Sequence, residues 1–410
     1  MDTSVINGKS NVNKRRLTIS LYLNYLVHGF GLIILAQNMV SLGQAWSVPL
    51  KTVSFVISGV GIGRLISYLI TGALSDVFSR KLFVDIGMAC YLVFALGMVT
   101  TRSVPVAFAF AMLAGVANSA LDAGTYTTLV EINNGNGRDT ILIKAFMSMG
   151  EFILPLIVAS LNANNLWFGW SFIIMAALIV LNFINISRVK FPQIQKVSVA
   201  AKKQAGKKRR FNLRRTIATI LLLAYGYTSM ALMIWFTQWI TLFAQKSLGY
   251  SNLAAHSLTS MYSIGSITGV LVVFALLKHN VDELKLIISL NTTALFALAV
   301  ILFAGTNTIV ADAASFVFGF SAASGIMQTA LTVFMKLFPR HHGMVTGAFY
   351  FFGSIASTTV PLITGNLSTQ SIRLAFSGDL IIALVGLVLM IALELLTRTA
   401  TPSNNGGETN

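Results

Sequence analysis

The sequence predicts an all-α integral membrane protein of twelve transmembrane helices arranged as two pseudo-symmetric six-helix bundles. Three observations carry that prediction. Of the 410 residues, 55% are hydrophobic and only 10% are charged, whereas a soluble domain carries about a quarter charged residues. Apolar runs near the length of about 20 residues that crosses the hydrocarbon recur along the whole chain. The basic residues gather in alternate loops, so the two membrane faces differ in charge.

Residues 1–16 are polar and lack a small-residue cleavage pattern, so they read as a cytoplasmic tail. The apolar run from Leu17 is too long for a signal-peptide core and is expected to remain as the first span. Spans are predicted at 17–44, 51–74, 82–101, 104–130, 140–162, 166–187, 216–244, 252–277, 284–305, 308–336, 342–366 and 372–396. Several exceed the bilayer thickness, which implies tilt or ends that project into water. Most connections are a handful of residues. The exception, 188–215, carries eleven Lys and Arg and no acid. It separates an N-terminal bundle (17–187) from a C-terminal bundle (216–396), and 397–410 forms a second cytoplasmic tail.

A net charge of +16 raises the question of nucleic acid, but its placement answers otherwise. With the N-terminus inside, Lys51, Arg102, Lys246 and Arg373 fall outside and Arg64 lies within a span, leaving 24 of the 29 basic residues on the cytoplasmic side. That bias fixes both termini in the cytoplasm of a multi-pass protein of the cytoplasmic (inner) membrane. The basic linker then serves topology and contact with anionic lipid, and no nucleic-acid partner is expected. Cys90 is the only cysteine, which excludes an intrachain disulfide and a cysteine-based metal cage; neither metal nor cofactor is expected. The halves share a short repeat: AFMSMG (Ala145–Gly150) in span five and AFYFFG (Ala348–Gly353) in span eleven, 203 residues apart.

Between spans two and three stands GALSDVFSRK (Gly72–Lys81). Two six-span halves, a basic central linker and this charged loop resemble the major facilitator superfamily, whose G-x-L-x-D-R-x-G-R-K pattern is matched at Gly72, Leu74, Asp76, Arg80 and Lys81. Val77 and Ser79 replace the pattern's Arg and Gly. The resemblance implies that Gly72, Asp76, Arg80 and Lys81 form a gating loop that latches the cytoplasmic face in the outward-open state, with a thinner charge network where Arg is missing at 77. The second-half counterpart KHNVDELK (Lys278–Lys285) is charged but keeps little of the pattern.

Ionisable side chains inside lipid cost on the order of 2.5–3.5 kcal/mol each at the helix centre, so each needs a partner or a watery cavity. Arg64 leads a polar stripe with Tyr68, Thr71 and Ser75, and reads either as a structural ion-pair member or as a substrate-binding group. Asp122 shares a face with Asn118 and Thr125 in span four, and a carboxyl in a low-dielectric pocket suits reversible protonation. The fourth span is similar to that of the fucose-permease-like branch of the superfamily. That branch also has an acid in span one, and there is none here between Leu17 and Ala45. Glu151 is a second candidate for proton coupling, with Lys144 as a partner two turns away. In span one, His28 and Asn38 lie on one face with Asn24 and Gly31. Trp235 and Gln238 in span seven offer a ring and an amide to a sugar-like ligand, or anchor the membrane interface. Gln328 joins Ser321 and Ser324 along span ten.

The expected function is a secondary active transporter, working as a monomer, that moves a small polar solute of sugar or organic-acid type by alternating access with proton-coupled uptake. No G-x-x-x-x-G-K-[ST] loop is present for ATP. The alternative is proton-coupled efflux of drugs or metabolites. Superfamily antiporters for drugs carry a Gly-Pro step in span five, and GEFILPLIVAS (Gly150–Ser160) has none, which favours uptake. An enzyme is not expected: PRHHG (Pro339–Gly343) is the only clustered histidine site and reads as topological charge. The short linker and tail leave no room for a receptor's signalling domain.

Overall fold

A computed structural model describes residues 4–74, 79–132, 140–191, 213–279, 281–338 and 342–398. Among them are fourteen helices and no strand, and twelve spans are long and apolar enough to cross a membrane. The first six spans are α1 (Ser4–Gln37) continued by α2 (Met39–Trp46), α3 (Leu50–Leu74), α4 (Arg80–Thr100), α5 (Val104–Ile132), α6 (Thr140–Ala163) and α7 (Trp170–Ser187). The second six are α8 (Leu213–Ser247), α9 (Asn252–Lys278), α10 (Glu283–Ala304), α11 (Thr308–Ala322) continued by α12 (Ile326–Leu337), α13 (His342–Leu367) and α14 (Ile372–Arg398). Short connections make consecutive spans antiparallel. The face where α1 begins and α14 ends is called the terminal face below, and the other the distal face. Large apolar side chains point outward, as lipid contact requires; Phe303 and Ile309 are each 77% exposed.

The structure departs from the apolar pattern at three places. Helix α1 starts at Ser4, inside the stretch expected to be a tail, because helix geometry tolerates polar residues that hydropathy excludes. Span one breaks at Asn38, whose side-chain amide donates to Ile34 O (2.9 Å) and to Ser171 Oγ (3.1 Å) on α7. Span ten breaks between α11 and α12, where Gly325 takes φ 98°, a left-handed conformation open to glycine at little cost. Of the gating loop, Gly72 lies in the backbone of α3, and Asp76 is outside the described residues. Arg80 opens α4 behind the Ser79 cap, whose hydroxyl accepts from Leu82 N. Lys81 Nζ donates to Ser187 O (3.2 Å) at the end of α7, within its own half. On the equivalent loop of the second half, Asp282 caps α10, and Lys336 of α12 binds both carboxylate oxygens of Glu283 at 2.7 Å.

Close packing repeats between the halves. A Cβ on Gly63 of α3 would lie 2.0 Å from Met112 O of α5, and one on Gly265 of α9 would lie 2.0 Å from Phe316 O of α11. These are the same two spans of each half, two and four against eight and ten. The last residues of the AFMSMG and AFYFFG repeats also lie at crossings: a Cβ on Gly150 would overlap Leu26 O of α1 at 2.1 Å, while one on Gly353 would lie in ordinary contact with Gly226 O of α8 at 3.5 Å. The repeat therefore marks a helix crossing, one small enough for backbones to touch.

Gly63→Val and Gly265→Val should each lower the unfolding temperature of the detergent-solubilised protein, since overpacking costs about 1–3 kcal/mol. Gly347→Ala, where an added Cβ meets nothing within 4 Å, should leave it unchanged. Equal effects at all three positions would contradict this account of the crossings.

Candidate functional site

The halves meet along two helix pairs, α3 with α13 and α6 with α9. Gly61 lies against the backbone of Thr358, Ser148 Oγ is 3.1 Å from Ser266 Oγ, and Ser260 Oγ donates to Phe152 O (3.0 Å). Toward the distal face the seam becomes a buried polar seal. Gln37 Nε2 reaches Thr241 Oγ1 (3.3 Å) and Thr259 Oγ1 (3.2 Å), its Oε1 lies 2.6 Å from His256 Nδ1, and Gln238 Nε2 donates to Ser54 Oγ (3.2 Å). Every one of these bonds joins one half to the other. Below the seal a cavity of about 750 Å³ runs between the halves toward the terminal face, where Lys144 and Thr346, near the starts of α6 and α13, line it.

A polar cluster of the first half forms one wall. Asp122 on α5 accepts two hydroxyl hydrogen bonds, from Tyr25 of α1 to Oδ1 and from Tyr68 of α3 to Oδ2, both 2.5 Å. Arg64, one turn before Tyr68, donates from a guanidinium nitrogen to the Tyr68 hydroxyl (3.3 Å) and sits 5.5 Å from its ring centre. Arg64 and Asp122 are therefore joined through a phenol rather than paired directly. Each carboxylate oxygen thereby has one donor, and the phenol passes the influence of Arg64 onward. Around this core, His28 stacks on Tyr25 (5.1 Å between ring centres) and meets the Tyr91 edge, Tyr126 meets the edge of Tyr25, and Tyr350 of α13 stacks on Tyr68 (6.4 Å). Tyr91 also donates to Asn118 Oδ1. Buried atoms left without a partner include Arg64 Nε, His28 Nδ1 and Glu151 Oε2.

Among the residues singled out from sequence, His28, Arg64, Asn118, Asp122, Glu151, Gln238 and Gln328 line the cavity together. Two do not. Asn38 is spent on the helix break and α7, and Trp235 is buried in the second half with its Nε1 donating to Ala375 O (2.6 Å), away from the cavity. Lys144 and Glu151 line the cavity without forming an ion pair: seven residues of helix separate them by about 10 Å, and Glu151 is 4% exposed against the seam with α9.

The sequence reading placed Tyr68 beside Arg64 and named Gln238, but missed Tyr25, Tyr126 and the rest of the seal. Tyr25 precedes His28 by three residues and Tyr126 follows Asp122 by four, so helical spacing from a charged residue was the available signal. Gln37, Thr241, Thr259 and His256 gave none, because each gains meaning only from the opposite half. It also passed over Asp379 of α14, which is fully buried with neither carboxylate oxygen partnered.

Tyr68→Phe removes a donor to Asp122 and the acceptor for Arg64 at once, whereas Tyr25→Phe removes one donor. Thermal unfolding in detergent should fall further for Tyr68→Phe, the loss of a charged partner's bond being worth about 1.5–3 kcal/mol. Equal losses would show that Arg64 is held by other means.

Comparison with known proteins agrees with this architecture. The family profile described as Major Facilitator Superfamily matches residues 21–361. The inner membrane transport protein YdiM of Escherichia coli K12 is 38% identical over 386 residues, covering 93% of this chain and 95% of the relative. The MFS-type transporter YfkL of Bacillus subtilis 168 is 36% identical over 372 residues, 89% and 92% of the two chains. The crystal structure of a D-xylose-proton symporter superposes with a TM-score of 0.75 at 13% identity, covering 96% of this chain and 99% of the symporter. Twelve spans in two packed halves, a cavity between them and a profile match over most of the chain lead to one conclusion: the protein is a multi-pass membrane transport protein of the major facilitator superfamily, not an enzyme.

Proposed function

We propose that the protein is a proton-coupled symporter that takes up a small polar solute, of sugar or organic-acid type, across the cytoplasmic membrane by alternating access. The observation that carries this reading is the pair of acids, Asp122 and Glu151, placed in one cavity between two halves that are sealed on one side only. A carboxyl at that depth is costly unless it exchanges its charge or its partners during the cycle. The serine, threonine and glutamine contacts of the seam and seal suit halves that separate and rejoin, since each such bond contributes only about 0.5–1.5 kcal/mol.

The basic bias of the sequence assigns the terminal face to the cytoplasm, so the cavity described here opens inward. The basic linker, whose residues 192–212 lie outside the described set, then faces anionic lipid on that side. With a complete cavity in one chain, a monomer suffices. The gating loop contacts its own half through Lys81, which agrees with a latch that engages only when the cytoplasmic face is closed. The fold likeness to a D-xylose-proton symporter supports proton coupling as the energy source.

The test is a pH recording in weakly buffered, energy-starved bacteria expressing the protein. Adding one of a panel of sugars and organic acids should alkalinise the medium, and Asp122→Asn or Glu151→Gln should abolish the change. Silence across the panel, with proton release on adding lipophilic cations, would replace uptake by export.

A further inference from the structure

The two walls of the cavity differ in chemistry. Among the described residues, every charged side chain facing it comes from the first half: Arg64, Asp122, Lys144 and Glu151. The second half presents none. Its wall joins an apolar surface of Met230, Met233, Met327, Leu331 and Phe351 to uncharged polar side chains, among them Thr237, Gln238, Gln328 and Tyr350.

Each wall restricts the solute. On the first, both Asp122 oxygens are already occupied by tyrosine hydroxyls, while Arg64, 8% exposed, keeps a buried Nε without an acceptor. A planar guanidinium with an unmet donor recognises a carboxylate, which it can hold through two parallel bonds. On the second, methionines offer a soft, adaptable apolar surface. A solute with hydroxyls on all sides would lose the hydration of those laid against the methionine surface, and the uncharged polar groups beside it replace only part of that. A solute with one acidic end and one apolar end meets a matching surface on each wall. The volume, about 750 Å³, lies in the range of about 300–1,000 Å³ that encloses a small organic ligand.

From these two walls we infer that the solute is an amphipathic organic acid, its carboxylate held at Arg64 and its apolar body, a ring or branched chain, laid on the methionine wall. This rests on the transport reading only in taking the cavity as the solute's site. It also narrows the choice between sugar and organic acid: the tryptophan that spoke for a sugar, Trp235, faces the second half's interior.

The experiment is calorimetric titration of the full chain in lipid nanodiscs with benzoate, cyclohexanecarboxylate, benzyl alcohol, gluconate, D-xylose and tetraphenylphosphonium. At least one ring carboxylate should bind about ten-fold or more tightly than benzyl alcohol and gluconate. Arg64→Gln should erase the preference for benzoate over benzyl alcohol, and Arg64→Lys, which keeps the charge, should retain part of it. Met233→Ser and Met327→Ser should weaken ring carboxylates and leave gluconate unaffected. Tighter binding of gluconate, D-xylose or tetraphenylphosphonium than of both ring carboxylates, or no binding by either carboxylate, overturns the inference. No proton gradient is present, so the two readings fail separately. Ring carboxylates that bind but cause no alkalinisation in cells would overturn proton-coupled uptake alone. D-xylose that alkalinises would overturn this inference alone.

Discussion

A carboxylate at the middle of a membrane protein must be given donors, and the rest of the first half is arranged around meeting that demand at Asp122. The donors come from α1 and α3, so both helices must approach α5 closely. For α3 small residues permit it: Gly63 and Gly115 let α3 and α5 meet at backbone distance; Gly29 and Gly150 bring α1 as close to α6, beside the cluster. Tyr68 then serves twice, as donor to Asp122 and as acceptor for Arg64, so that an acid and a base are linked without touching. Removing the phenol would leave both charges to find new partners in low dielectric.

The second half has the same helix crossings but, among the described residues, no comparable cluster. Among the described residues its cavity wall carries no charge, and its hydrogen bonds to the first half join uncharged polar groups, along α6–α9 and from α8 and α9 to Ser54 and Gln37. This division has a mechanical consequence. The costly electrostatics remain within one rigid body, and the surfaces that would part during alternating access are held by bonds of modest strength. Gln37 illustrates the point: one side chain of α1 meets three groups of α8 and α9, so the distal seal closes or opens as a unit.

Much of this was legible in the sequence because the bilayer is a strict solvent. Apolar length alone located the twelve spans, and a charge within such a run was by itself conspicuous, which is how Arg64, Asp122 and Glu151 were found. What remained hidden depends on the direction a helix face turns. Trp235 looked like a sugar platform, but an indole also fills a helix crossing, and here it packs on Gly378 and binds Ala375. Asn38 and Asn24 share a face with His28 by spacing, yet both serve α7, because the bend after Gln37 and the neighbouring helix decide which residues reach the cavity. Tyr68 was marked only by its spacing from Arg64, and Tyr25 was not marked at all, because only the carboxylate between them gives the two phenols a shared role.

The central claim is that the two halves move as rigid bodies about a distal seal that opens as a unit. Spin labels at Ser103→Cys and Asn307→Cys, on distal loops of the two halves in a Cys90→Ser background, would report their separation by pulsed electron resonance. Gln37 meets three groups of the opposite half, so replacing it removes most of the seal's bonds and leaves intact the Asp122 cluster, which lies within the first half. The account predicts two distances, with the longer distal one gaining population in Gln37→Ala. A single distance in both proteins, or unchanged populations in Gln37→Ala, would contradict it.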